Sequence, residues 1–242
     1  MPDAAPPRRL SARSAILSAL LGAHPGEATT KGIIAIGAGL GYSASTVRVA
    51  LTRMVAAGDL ERTDGVYRLA RRLVERQRRQ DEALEPAWTE WTGRWRMVVV
   101  TTPALDAAER VATREALLCN HFGELREGVW MRPDNLAFVV GPVLAERVRM
   151  FATMPDADSV ELARELFDPT SWADLARKLL AELDAASSLA ERFVAAAAVV
   201  GHLLRDPLLP AELCPQPWPG ELLRAAYRDF RDEFTAYVGT AM

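Results

Sequence analysis

The 242-residue sequence is 50% hydrophobic and 25% charged, with two cysteines, three histidines and a formal net charge of −3. This composition excludes a wholly disordered chain, a disulfide scaffold and a four-cysteine zinc site, and the wide spacing of His24, His121 and His202 speaks against a histidine-rich metal centre. The longest nearly unbroken apolar stretch, 193–201, is mostly alanine and far short of the roughly 20 residues a membrane span needs.

Arg8 and Arg9 followed by an apolar run imitate a short secretory signal. Ser18 interrupts that run, however, and Ile16, Leu17, Leu20 and Leu21 form one helical stripe with Ser14 and Ser18 opposite. That is an amphipathic helix, so the chain is expected to be cytoplasmic with reduced thiols. Charge divides sharply along the sequence. Residues 1–80 carry 13 Lys and Arg against 6 Asp and Glu, whereas the rest carries 16 against 26. A basic front on an acidic body points to a polyanion contact made by the front.

Taken in chain order, residues 1–11 are Pro-rich and read as a flexible tail. Residues 12–72 read as a winged helix-turn-helix. Ser11 caps a helix over about 12–22, and Ile33, Ile34 and Ile36 are the apolar residues of a second, over about 30–38. A turn at Gly39-Leu40-Gly41-Tyr42 leads to Ser43, the cap of a third helix over 44–57. Val47, Ala50, Leu51, Met54 and Val55 form its buried stripe. Strands over about 60–63 and 66–69 flank Asp64-Gly65, a strong hairpin signal.

A helix of this kind fits the DNA major groove, about 12 Å wide, with its N-terminal half towards base edges. Ser43, Ser45 and Thr46 lie at the positive end of the helix dipole, suited to phosphate. Arg48, one turn in, is the expected base-edge contact. Val49 and Thr52 share its face, and Arg53 sits higher, towards phosphate. Arg62 and Arg68 of the wing, followed by Arg71 and Arg72, are expected beside the groove.

Residues 73–90 are a charged linker, helix or solvated loop. Residues 91–142 read as a ferredoxin-like α/β module: a β-branched strand at 97–102 ended by Pro103, a helix over about 107–122 with Val111, Leu117 and Leu118 inward, a strand within 125–132, and another over 136–140. A sheet of this type commonly leaves a face or edge for a second copy. Residues 143–242 read as a helical domain, with helices near 144–151, 159–167, 172–186, 188–204 and 220–238. Ser171 to Asp174 resembles a capping box. The five-proline stretch at 205–220 must be an extended loop, and its Leu and Trp residues suggest a clasp packed on the body. The fold class is thus α+β and multidomain.

Several stretches carry a family resemblance. They are Ala12-Arg13-Ser14, the run from Ser45 to Gly58, Trp91 with Gly93-Arg94-Trp95, Phe122-Gly123-Glu124-Leu125 with Gly128-Val129-Trp130-Met131-Arg132-Pro133, and Leu204-Arg205-Asp206-Pro207-Leu208-Leu209-Pro210 with Trp218-Pro219-Gly220. Over about 12–238 the pattern resembles the PaaX family of bacterial transcriptional repressors. The resemblance implies a homodimer on a palindromic double-stranded operator, released by an acyl-CoA thioester such as phenylacetyl-CoA, with no cofactor and no membrane partner. Such a mechanism has the body space two heads about 34–36 Å apart, with the inducer favouring a geometry in which they no longer match both half-sites.

The residues bear on two other functions. The middle module is similar to small ferredoxin-like nucleases of CRISPR integration systems, which place an acidic residue at the end of the first strand. Here Thr101 and Thr102 precede Pro103, and Asp106 comes late. With no Gly-x-Ser-x-Gly elbow either, no enzymatic activity is expected, and Cys119 and Cys214 read as buried, inert thiols. A winged helix serving as a protein-interaction adaptor is the remaining alternative.

Overall fold

The structure, a computed structural model, describes residues 10–102, 106–137 and 141–241. Most of the expected tail, the strand-ending Pro103 and the far end of the strand expected over 136–140 lie outside the described residues. The chain divides into two compact units. One comprises the chain up to Leu84 with Ala176–Leu204 and the segment from Glu221 onward; the other comprises Glu85–Leu175 with Arg205–Gly220.

The first unit opens with α1 (Ala12–Gly22), β1 (Glu27–Thr29), α2 (Thr30–Gly39), α3 (Ala44–Ala56), β2 (Leu60–Thr63) and β3 (Val66–Leu69). The sheet order is β1-β3-β2, antiparallel throughout. This is the winged helix-turn-helix that the sequence implied, with one strand, β1, added before α2. Ile16, Leu20, Ile33, Val47, Leu51 and Met54 meet in its core with Leu60, Tyr67 and Leu69 of the wing. Gly37 lies so close to Val47 that any side chain there would collide with it, which fixes the approach of α2 to α3.

The charged linker forms α4 (Arg71–Leu84), a helix with a buried stripe of Leu73, Gln77, Gln80, Ala83 and Leu84. It is not a loose tether. The Gln77 amide donates to the carbonyls of Leu21 and Ala23 at 3.0 and 2.7 Å, closing the C-terminal end of α1. At the other end of α4, Arg224 Nε donates to the Ala83 carbonyl at 3.0 Å and Arg228 to that of Leu84 at 3.2 Å. Cations there satisfy carbonyls that a helix end leaves open. Both arginines belong to α10 (Gly220–Ala241), which shares this unit with α9 (Leu189–Leu203). A true capping box, Ser188 with Glu191, starts α9.

The second unit is built on β4 (Trp95–Val100), α5 (Ala107–Cys119), β5 (Gly123–Arg126), β6 (Val129–Pro133), a short α6 (Pro142–Ala145) and β7 (Val148–Thr153). The antiparallel order β5-β6-β4-β7 makes it ferredoxin-like. Period-two alternation along β4 covers both faces. Trp95 and Met97 pack with α7 (Ser159–Phe167) and with Leu209, Leu213 and Cys214. Val98 and Val100 pack with Leu117, Phe122, Trp130, Leu144 and Val148.

Several expectations are corrected. The segment 144–151 is not one helix: α6 stops at Ala145 and β7 follows, because its β-branched and aromatic residues complete the sheet beside β4. The strand expected within 125–132 is a hairpin, β5–β6, turned at Gly128 (φ +77°). On α5 Thr113 and Leu117 are buried, while Val111 and Leu118 face solvent. The helix near 172 begins earlier, at Pro169 (α8, Pro169–Ala185), with Asp168 accepting from Ser171 N at 3.2 Å. Cys119 is exposed; only Cys214 is buried.

The proline-rich stretch does act as a clasp. Asp206, fully buried, accepts from Leu208 N at 2.9 Å. Asn135 donates to the Leu208 carbonyl at 2.8 Å, the Asp206 carbonyl lies 2.9 Å from His121 Nδ1, and Trp218 stacks on Trp172 at 4.7 Å.

Candidate nucleic-acid interface

The third helix carries the expected surface. Ser43 adopts an extended backbone (φ −69°, ψ 152°) and its hydroxyl accepts from Thr46 N at 3.2 Å. The Ser43 oxygen also lies 2.9 Å from the Ser45 hydroxyl and 2.8 Å from that of Thr46. The cap satisfies one of the first-turn N–H groups and leaves others turned outward. Val47, Ala50, Leu51 and Met54 are buried. Ser45, Thr46, Arg48, Val49, Thr52 and Arg53 are all exposed, with Val49 at 51%. Val55, expected inside, is exposed at the helix end. Thr52 donates back to the Arg48 carbonyl at 3.1 Å.

Charge sharpens the picture. No acidic residue occurs in α1, α2 or α3. Of the four carboxylates in 10–70, Asp59 is fully buried and Glu27 is paired with Arg68 at 2.5 Å, while Glu61 and Asp64 are exposed on the wing. The wing turns at Asp64 (φ +51°) and Gly65 (φ +79°), the positive-φ pair that a two-residue hairpin needs. Arg62 is exposed, its guanidinium 5.6 Å from the Tyr67 ring.

The structure therefore separates the candidate residues into groups. Ser43, Ser45, Thr46, Arg48, Val49, Thr52 and Arg53 share one open face of α3. Arg62 lies on the wing outside that face, and Arg68 is engaged by Glu27 across the β1–β3 pair. Arg72 is drawn into a structural cluster instead: it binds Asp59, as does Arg13, whose Nε and Nη2 reach Asp59 Oδ2 at 2.9 and 2.6 Å.

Asp59 was missed by sequence reasoning, although a lone acid following the helix-ending Gly58 and preceding an apolar strand residue is a usable signal. Burial pushes its carboxyl up, but the hydrogen bonds and charges of Arg13 and Arg72 outweigh this and hold it below the ordinary aspartate range. A depressed carboxylate contributes stability fully above its unfolded value of about 3.9 and loses that contribution as pH falls through the lower folded value. Asp59→Asn is expected to cost about 2 kcal/mol near neutral pH, less than a fully buried pair because both arginines are half exposed. Urea unfolding at stepped pH checks this: the gap from wild type should be full above about pH 5 and narrow below about pH 4.

Among the described residues no cluster of three or more His, Cys, Asp or Glu is placed to hold a metal ion, and no helix is long and apolar enough to cross a membrane. His24 pairs with Asp81 at 3.0 Å, and His202 is buried.

Comparison with known proteins agrees with this architecture. Three family models match successive parts of the chain: PaaX-like protein over residues 11–73, the PaaX protein central Cas2-like domain over 88–160, and the PaaX-like protein C-terminal domain over 161–238. Among solved structures, an uncharacterized protein from Mycobacterium tuberculosis is 49% identical, with a TM-score of 0.82 over 96% of this chain and 98% of its own. No curated protein matches. With the winged helix, the ferredoxin-like sheet and the helical end each matched in order, the chain belongs to the PaaX family of transcriptional regulators.

Proposed function

We propose that this chain is a ligand-responsive repressor that binds a palindromic operator as a homodimer and is released by an acyl-CoA-type inducer such as phenylacetyl-CoA. The observation that carries the DNA reading is the outer face of α3: hydroxyls and two arginines, with no carboxylate on the helix. Ser43, Ser45 and Thr46 meet phosphate at the start of the helix, Arg48 reads a base edge, and Arg53 and Arg62 hold the flanking backbone. Arg68 takes part by exchanging Glu27 for phosphate.

Recovery of genomic fragments by the purified protein, followed by release with CoA thioesters, tests the whole reading. A salt titration on a recovered fragment tests its physics. Neutralising Z phosphates gives a log–log slope of about −0.9Z, so five or more contacts predict a slope steeper than about −4. A nearly flat dependence favours the protein-adaptor alternative.

The dimer reading is supported by β7, an edge strand. Phe151 on it is 49% exposed, an uncommon burden for an unpaired edge. Phe151→Lys is expected to shift the dimer dissociation constant upward at least tenfold in light-scattering measurements, with the unfolding midpoint unchanged at concentrations where both proteins are monomeric.

A further inference from the structure

The first unit contains a cavity of about 450 Å³, within the range of small-molecule sites. Phe193 of α9 and Phe230 and Phe234 of α10 form one wall as an aromatic cluster with ring centroids 5.1–6.2 Å apart. Leu20 of α1, Ile36 of α2 and Val66 of β3 form the other. Ser18, His24, Glu27, Thr29 and Thr235 also line it, and two further polar residues stand beside the aromatic wall. Tyr227 is 8% exposed, lines the cavity, and its hydroxyl makes no hydrogen bond among the described residues. One turn further along α10, Arg231 also lines the cavity, and its ion pair with Asp232 is long, 3.6 Å at Nε. Glu27, the carboxylate among the lining residues, is already held by Arg68.

We infer that this cavity is an effector site for a small aromatic or branched monocarboxylic acid, its hydrocarbon part against the phenylalanines and its carboxylate on Tyr227 Oη and the Arg231 guanidinium. An unpaired phenol and a weakly engaged guanidinium beside an aromatic surface together match that ligand: one supplies a neutral donor, the other a charge-assisted donor. A thioester has no carboxylate to offer these two donors, so the occupant is a free acid, a second effector distinct from the acyl-CoA inducer proposed above. Its position gives occupancy a route to the DNA face. Ile36 and Thr29, the N-cap of α2, both line it, and α2 is locked to α3 at the Gly37–Val47 approach. A ligand that prefers one setting of α2 therefore selects one setting of α3.

The regulatory half rests on the DNA-binding reading above; the binding half does not, and calorimetry without DNA isolates it. The full chain is titrated with 3-phenylpropanoate, 4-methylpentanoate, their primary amides and the CoA thioester of 3-phenylpropanoate. Saturable binding of the acids is expected with dissociation constants on the order of tens of micromolar. The amides should bind at least fivefold more weakly. Tyr227→Phe should weaken the acids about five- to tenfold and Arg231→Gln at least tenfold, with unfolding midpoints measured alongside to establish that both variants fold. Absence of acid binding in the millimolar range, binding of the thioester alone, or equal affinity in folded Tyr227→Phe and Arg231→Gln overturns the site. Acid binding that leaves retention on a recovered DNA fragment unchanged overturns the route to α3 and leaves the site standing; failure to retain any DNA strikes the DNA reading alone.

Discussion

Arg48→Ala should weaken binding to a recovered operator about 10- to 100-fold, the equivalent of about 1–3 kcal/mol, and flatten base preference at one position of each half-site. The residue stands on the open face of α3, one turn from the Ser43 cap. Its loss removes a bidentate donor rather than a packing contact, so the unfolding midpoint should stay put. Arg53→Ala serves as the contrast. A phosphate contact is expected to lower affinity for all fragments alike and reduce the salt slope by about one. Competition binding with single-base operator variants separates the two patterns. Retention of both affinity and base preference in Arg48→Ala would refute the assignment.

Trp95→Ala carries the largest expected cost to stability. Its indole is fully buried at the start of β4, among Met131, Leu162, Ala163, Leu209, Leu213 and Cys214. Its Nε1 donates to Ser159 Oγ at 3.3 Å. Truncation leaves a large void and an unpaired hydroxyl, a loss of about 3–5 kcal/mol. Against a typical domain stability of about 5–15 kcal/mol, that is a large fraction. Urea unfolding followed by far-ultraviolet dichroism measures it. Trp95→Phe should recover more than half of the loss, since most of the cost is volume. A loss below about 1 kcal/mol for the alanine variant contradicts the packing described.

Much of the head was legible because its local signals agree with one another. Ser11 and Ser43 cap the helices they precede, Asp64-Gly65 makes the wing turn, and the three-four-seven spacing of Val47, Ala50, Leu51 and Met54 marks the buried face of α3. Arg48 and its neighbours were therefore placed on the outer face by elimination. Val55 escaped the pattern because the helix end offers it nothing to pack against. In the sheet unit the same methods were weaker. The segment from Val148 to Thr153 has mixed propensity, and only its ladder to β4 makes it a strand. Leu118 and Val111 look like core residues on α5, yet that helix buries a narrow stripe through Thr113 and Leu117. The Asp59 cluster and the cavity beside Tyr227 depend on residues far apart in sequence, Arg13 with Arg72, and α1 with α10. No window of neighbouring residues contains them.

The hold of Arg224 and Arg228 on the last carbonyls of α4 has a practical corollary. Anyone splicing this head onto a foreign effector module would be tempted to cut after Leu84. Such a hybrid would strip two guanidinium clamps from a bare helix terminus and uncover the side of α4 that packs on α9. The portable cassette is discontinuous: the opening segment has to travel with α9 and α10, grafted in cis or supplied as separate peptides.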